Sequence, residues 1–145
     1  MKIKSFKLFQ ESNSDIWYRG STSKTNKLGY SWYSKEKSQA NKYADMNAII
    51  YGGKKIISET TIDLTKYDLL DLLDYDMDER YNESEIQNIL EEINIDYDYE
   101  DLFDFTEDDV PLSRLINNLL KTILKEYDGL LVLEDGVKTI CIKAN

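Results

Sequence analysis

Apolar and polar positions change their spacing several times along the 145-residue chain. Ile3, Ser5, Lys7 and Phe9 alternate over 2–9, which predicts an extended stretch. Ile16 to Ser21 and Gly29 to Ser34 predict two further strands, separated by the polar loop Thr22 to Lys27. Ser34 then reads as the cap of a helix over 35–45, with Ala40, Tyr43 and Ala44 on one face. Ala48 to Tyr51 predicts a short strand, Gly52-Gly53 a turn, and 54–62 a returning strand rich in Ile and Thr. Leu69, Leu70, Leu72 and Leu73 predict a helix over 66–74. Asn82, with Glu85 three residues later, is a capping-box pattern and opens a helix over 83–93. The strongest helical periodicity is Leu112, Leu115, Ile116, Leu119 and Ile123, within 110–126, and Pro111 suits its first turn. Gly129 to Leu133 and Val137 to Ile142 flank Glu134-Asp135-Gly136 and predict a terminal hairpin. The segment 95–105 alternates acids with Tyr and Phe and follows neither template.

Strands and helices are therefore grouped rather than strictly alternating. That order argues for an α+β domain and against a doubly wound parallel sheet. The length suits a single domain over 1–145. No repeat or long linker divides it, and Pro111 is its one proline.

Composition narrows the chemistry. With no histidine, the Ser-His-Asp triad, Cys-His nucleophiles and His-ligated zinc are excluded. A single cysteine, Cys141, precludes an intrachain disulfide and suits a reducing compartment. Met1-Lys2-Ile3-Lys4 lacks the apolar run of a secretory signal, no apolar stretch approaches membrane-spanning length, and the expected location is the cytoplasm. Acidic triplets such as Asp74, Asp76 and Asp78 lack the Gly and closing Glu of a calcium loop, so no metal is expected.

Charge is distributed unevenly. Residues 1–62 carry 11 Lys/Arg against 5 Asp/Glu, whereas residues 63–109 carry 2 against 19. The acidic block makes direct nucleic-acid binding unexpected and suits a protein target with a basic surface.

Two short constellations carry candidate chemistry. In Tyr18-Arg19-Gly20-Ser21, an Arg lies among strand residues and calls for an anionic partner. Its planar fork suits phosphate or carboxylate, and Gly20 admits a ligand or another backbone at close range. In Gly29-Tyr30-Ser31-Trp32-Tyr33-Ser34, followed by Ala40-Asn41-Lys42-Tyr43-Ala44, aromatic rings beside small residues suit a slot for a planar ring.

In this order, together with Tyr127-Asp128-Gly129-Leu130, these segments resemble the ADP-ribosyltransferase superfamily. Its members have a Tyr-Arg/His-Gly strand, a Gly-led aromatic strand, an Ala-x-x-Tyr-Ala helix and a Tyr-Asp-Gly-Ile strand. The layout is also similar to small phage-encoded anti-CRISPR proteins of that fold, which would act in the host cytoplasm. The resemblance implies a split antiparallel sheet with flanking helices, here with 63–109 as an acidic, mostly helical insertion. It implies NAD as cofactor and mono-ADP-ribosylation of a macromolecular target. Arg19 would hold the cofactor's phosphate or ribose, Trp32 or Tyr33 would stack on nicotinamide, and Ser31 or Ser34 would orient it. Tyr18, Gly20, Ser21 and Tyr43 would complete the cofactor site.

The chain departs from the family at the catalytic carboxylate. Lys138 falls near the position where the final hairpin normally carries Glu, and a lysine there would repel developing positive charge. Glu134, or an acid ahead of the last helix (Glu107, Asp108 or Asp109), would then supply the carboxylate. The alternative expectation is a catalytically silent protein of the same fold that inhibits a basic or nucleic-acid-binding partner through its acidic block.

Overall fold

The computed structural model describes residues 16–24, 29–96 and 110–144. The predicted stretch over 2–9, most of 95–105, and Glu107, Asp108 and Asp109 lie outside the described residues. The described elements form an α+β fold. Strands β1 (Ile16–Thr22), β2 (Tyr30–Ser34), β3 (Lys55–Thr61), β4 (Leu69–Asp76), β7 (Gly129–Glu134) and β8 (Val137–Lys143) make one six-stranded sheet in the order β3-β1-β2-β8-β7-β4. Two short strands, β5 (Arg80–Tyr81) and β6 (Val110–Pro111), form a second, antiparallel ladder. The described helices are α1 (Lys37–Tyr51), α2 (Glu83–Ile93) and α3 (Leu112–Glu126), with a 3-10 turn at Leu64–Lys66.

The main sheet is mixed, not wholly antiparallel as the resemblance implied, because β4 runs parallel to β7. It is nevertheless nearly divided. β1 pairs with β3 over seven consecutive residues and β2 pairs with β8 over five, but β1 and β2 meet at one register pair, Tyr18 opposite Ser34. Past that pair the two strands part.

Three elements differ from the sequence reading. Residues 69–76 form a strand, because the Leu run is buried on both faces. Leu70 and Leu72 join the core beneath α3, while Leu69 and Leu73 join the cluster around Trp17 on the other face. Such a run satisfies helical spacing and a doubly buried strand alike, and the β7 partner decides between them. Among its described residues the acidic block is therefore only partly helical, and its first half supplies a strand of the main sheet. Residues 48–51 continue α1 instead of forming a strand. The helix ends where Gly52, at φ 75°, turns its N–H onto the Ala48 carbonyl. Finally, Ser34 is not the helix cap. Glu36 occupies that position, and the Ser34 hydroxyl accepts from the Glu36 N–H one step earlier.

The other elements follow their sequence signals closely. Asn82 and Glu85 form the reciprocal capping box of α2. Pro111 precedes α3 as its cap residue. The terminal hairpin turns on Asp135 and Gly136, at φ 52° and 74°, the pair of left-handed residues that a tight two-residue hairpin requires.

Candidate functional site

A cavity opens where β1 and β2 part. It has a volume of about 380 Å³ and is bordered by Arg19, Gly20 and Ser21 of β1 and by Tyr30, Ser31 and Trp32 of β2. These would have been ladder neighbours had the two strands stayed paired. Tyr43, Met46 and Asn47 of α1 form a second wall, Ser113 and Asn117 of α3 a third, and Glu134, Asp135 and Asp78 an acidic end.

Gly20 sets how close α1 comes. A Cβ at this position would lie 1.7 Å from the Ala40 carbonyl oxygen, so only glycine lets the helix backbone rest directly on β1. The close approach foreseen for Gly20 is thus made by another backbone. The Asn47 side chain then donates to the Gly20 carbonyl at 3.2 Å, and the Thr22 hydroxyl donates to the Gly52 carbonyl at 2.7 Å. Both contacts fix the helix against the strand. α1 delivers Tyr43 into the cavity one turn beyond Gln39.

At the acidic end the Tyr43 hydroxyl donates a hydrogen bond to the Glu134 carboxylate. Burial pushes the Glu134 pKa above its ordinary 4.5, and the nearby Asp78 and Asp135 add to that rise, while the hydrogen bond from Tyr43 opposes it. Burial, then the Glu134 charge, also raises the pKa of the Tyr43 hydroxyl, so Tyr43 stays a proton donor. The turn is held in place by the Asp135 N–H, which donates to Asp78 at 2.9 Å, and by the Gln39 amide, which donates to Asp135 at 3.4 Å. Lys42 lies 3.6 Å from Asp135, but both side chains are more than half exposed, so solvent screens that pair.

Hairpin register separates Glu134 from Lys138. Glu134 pairs with Val137 and Leu133 with Lys138. Alternation puts Glu134 on the face of Val132, in the core beneath α3, and Lys138 on the face of Ile140, in the opposite core cluster. Lys138 does not border the cavity.

Of the sequence-predicted residues, Arg19, Gly20, Ser21, Ser31, Trp32, Tyr43 and Glu134 border one cavity. Arg19 shares the strand face of Trp17 by alternation and reaches the cavity edge at the strand parting. Its backbone is paired with Ser58 of β3, but among the described residues its guanidinium has no hydrogen-bond or ion-pair partner. Three predicted residues are placed elsewhere. Tyr33 packs against the cluster around Trp17, which leaves Trp32 as the indole in the cavity. Ser34 is fully buried and committed to the Glu36 backbone through its hydroxyl. Tyr18 does not border the cavity; it forms the last pairing before the strands separate.

Tyr30, Met46, Asn47, Asp78, Ser113, Asn117 and Asp135 also border the cavity and were not among the predicted site residues. The α3 pair had a legible signal, because Ser113 and Asn117 are polar positions one turn apart beside a strongly apolar face. Asp78 had none, as its role depends on a contact with the hairpin turn 57 residues away.

Among the described residues no group of three or more His, Cys, Asp or Glu side chains is arranged to hold a metal ion, and no helix is long and apolar enough to cross a membrane. No family model, curated protein or solved structure matches the chain.

Proposed function

We propose that the cavity binds NAD and that the protein is a mono-ADP-ribosyltransferase acting on a macromolecular target, in the first instance a protein. The observation that carries this reading is the convergence of Arg19, Trp32 and Glu134 on one cavity at the parting of β1 and β2. The volume lies within the range of small-molecule sites. The donor set also fits the group: a guanidinium suits the pyrophosphate, indole and phenol rings suit the nicotinamide, and a carboxylate suits the ribose hydroxyls.

NAD supplies a nicotinamide–ribose bond whose cleavage places positive charge on the ribose. The chain's residues act on either side of that event. Arg19 neutralises and orients the phosphates. Trp32 and Tyr30 hold a flat ring away from water. Glu134, when ionised, stabilises the developing charge, and Tyr43 fixes the direction of its carboxylate. The positions of Glu134 and Lys138 on opposite hairpin faces support this assignment, because the lysine charge is kept off the reacting side. In this reading a membrane and a nucleic acid have no part.

The test is incubation of the protein with labelled NAD and a cell lysate, alongside a thermal-shift titration with NAD. Label transfer that is lost in Arg19→Ala and Glu134→Ala, with a stability increase that follows NAD concentration, is the expected result. The absence of any thermal shift removes the NAD reading.

A second reading, an acidic inhibitor of a basic partner, has its own support. Asp74, Asp76, Asp78, Glu79, Glu85, Glu91, Glu92 and Asp96 are all exposed. Its signature is a complex that weakens with salt and survives Arg19→Ala.

A further inference from the structure

Among the described residues the sheet ends at β3 on the side away from the hairpin. β3 pairs with β1 without a bulge, and among the described residues it has no neighbour on its other edge. It is also the only strand of the six-stranded sheet with no buried residue: Ile57 is half-buried and its other six residues are exposed, with Ile56 at 43%. A regular, seven-residue edge with two consecutive isoleucines is a template for another strand.

The sequence of β3 says which strand fits. In an antiparallel pairing of Lys55-Ile56-Ile57-Ser58-Glu59 with itself, centred on Ile57, Lys55 stands opposite Glu59 of the second copy, and Glu59 opposite its Lys55. Ile57 faces its own counterpart and Ile56 opposes Ser58, so the two Ile56 side chains become diagonal neighbours on the other face. Opposite charges and apolar pairs in register are the contacts that favour an antiparallel ladder. Centring on Ser58 instead leaves Lys55 against Thr61 and Glu59 against Ile57. Lys55 already lies 2.7 Å from Asp45 on the α1 side of the sheet, so its ammonium is held on the same face as Glu59. A self-complementary edge of this kind closes as a two-fold pair and leaves neither β3 edge open.

We propose that two copies of the protein associate through β3, antiparallel and centred on Ile57, to make a continuous twelve-stranded sheet. The two cavities remain open, since they lie on the other side of β1 from this seam.

Light scattering during gel filtration over a concentration series tests the idea. The expected mass is twice the 17.0 kDa of one chain. Glu59→Lys sets one lysine against another at both charge pairs of the seam, and Lys55→Glu likewise sets one carboxylate against another at both. Each variant alone is expected to run as a monomer, with the dimer dissociation constant raised about tenfold or more. Mixing the two variants removes one of the like-charge arrangements from each chain: at one end of the seam the introduced lysine meets the introduced glutamate, and at the other the native Lys55 meets the native Glu59. A mixed dimer therefore forms. Circular dichroism matching the wild type establishes that each variant is folded. A wild-type protein that stays monomeric throughout the series overturns the proposal, and so does a dimer that ignores both single changes. Failure of the two variants to recombine overturns the Ile57-centred register.

Discussion

The Tyr43 hydroxyl of α1 donates to the Glu134 carboxylate at the end of β7, joining two elements 91 residues apart at the acidic end of the cavity. The bond favours the charged form of a carboxylate whose pKa burial raises. Tyr43→Phe removes the donor and retains the ring. Glu134 is then left without that partner, and its pKa rises further. The expected cost is about 1–3 kcal/mol at neutral pH, read by urea denaturation. If Glu134 must be ionised to act, the acid limb of any NAD-consuming activity moves to higher pH in this variant. An unmoved limb would detach Tyr43 from Glu134 function.

Glu134 also makes stability depend on pH in a defined direction. Its folded pKa lies above its ordinary value of 4.5. Between those two values the folded chain keeps a proton that the unfolded chain has released. Stability contributed by this group is therefore full below the unfolded value and is lost as pH rises through the folded one. Glu134→Gln removes the ionisation. Relative to the wild type, the variant gains stability as pH rises through that window, measured by denaturation at a series of pH values. A difference between the two proteins that does not vary with pH contradicts the assignment.

Gly20 is a packing position rather than a ligand contact alone. In Gly20→Ala the new methyl meets the Ala40 carbonyl at 1.7 Å and the Ala44 amide nitrogen at 2.7 Å, both of them backbone atoms of α1. Neither can swing aside as a side chain would, so α1 must move off β1. A loss of about 3 kcal/mol or more is expected, at the upper end of overpacking effects. Since α1 carries Tyr43, the same shift enlarges the cavity, and ligand binding falls together with stability. A variant of native stability would show that α1 does not rest on β1 as described.

Much of this arrangement was legible in the chain because local chemistry determined it. The capping box at Asn82 and Glu85, the Asp135-Gly136 turn and the apolar stripe of α3 each act within a few residues, and each forms where its pattern lies. Arg19 and Trp32 could be singled out for the same reason: a guanidinium among strand residues and an indole beside small side chains need partners wherever they are. What the chain did not reveal depends on distant neighbours. Whether Trp32 or Tyr33 enters the cavity is a matter of strand face, fixed by pairing with β8 more than 100 residues later. Ile49 and Ile50 suggested a strand, but helix propagation carries them to Gly52, and both remain exposed. The parting of β1 and β2, which creates the cavity, has no local signature at all.

The Leu run of β4 offers a direct test of this dependence on the partner strand. As a strand, it sends Leu72 into the core beneath α3 and Leu73 toward Trp17 on the opposite face. Leu72 is 0% exposed and Leu73 4%, so either substitution by Ala is expected to cost about 2–5 kcal/mol. Stability alone does not distinguish the faces, but the two indoles do. With Trp32→Phe as background, Trp17 is the only tryptophan, and its ring is 1% exposed within the Leu69 and Leu73 cluster. Leu73→Ala opens a cavity beside it and shifts its emission, whereas Leu72→Ala leaves the folded-state spectrum unchanged. Equal spectral responses would mean that the two leucines share a face, as a helix over 66–74 would have required.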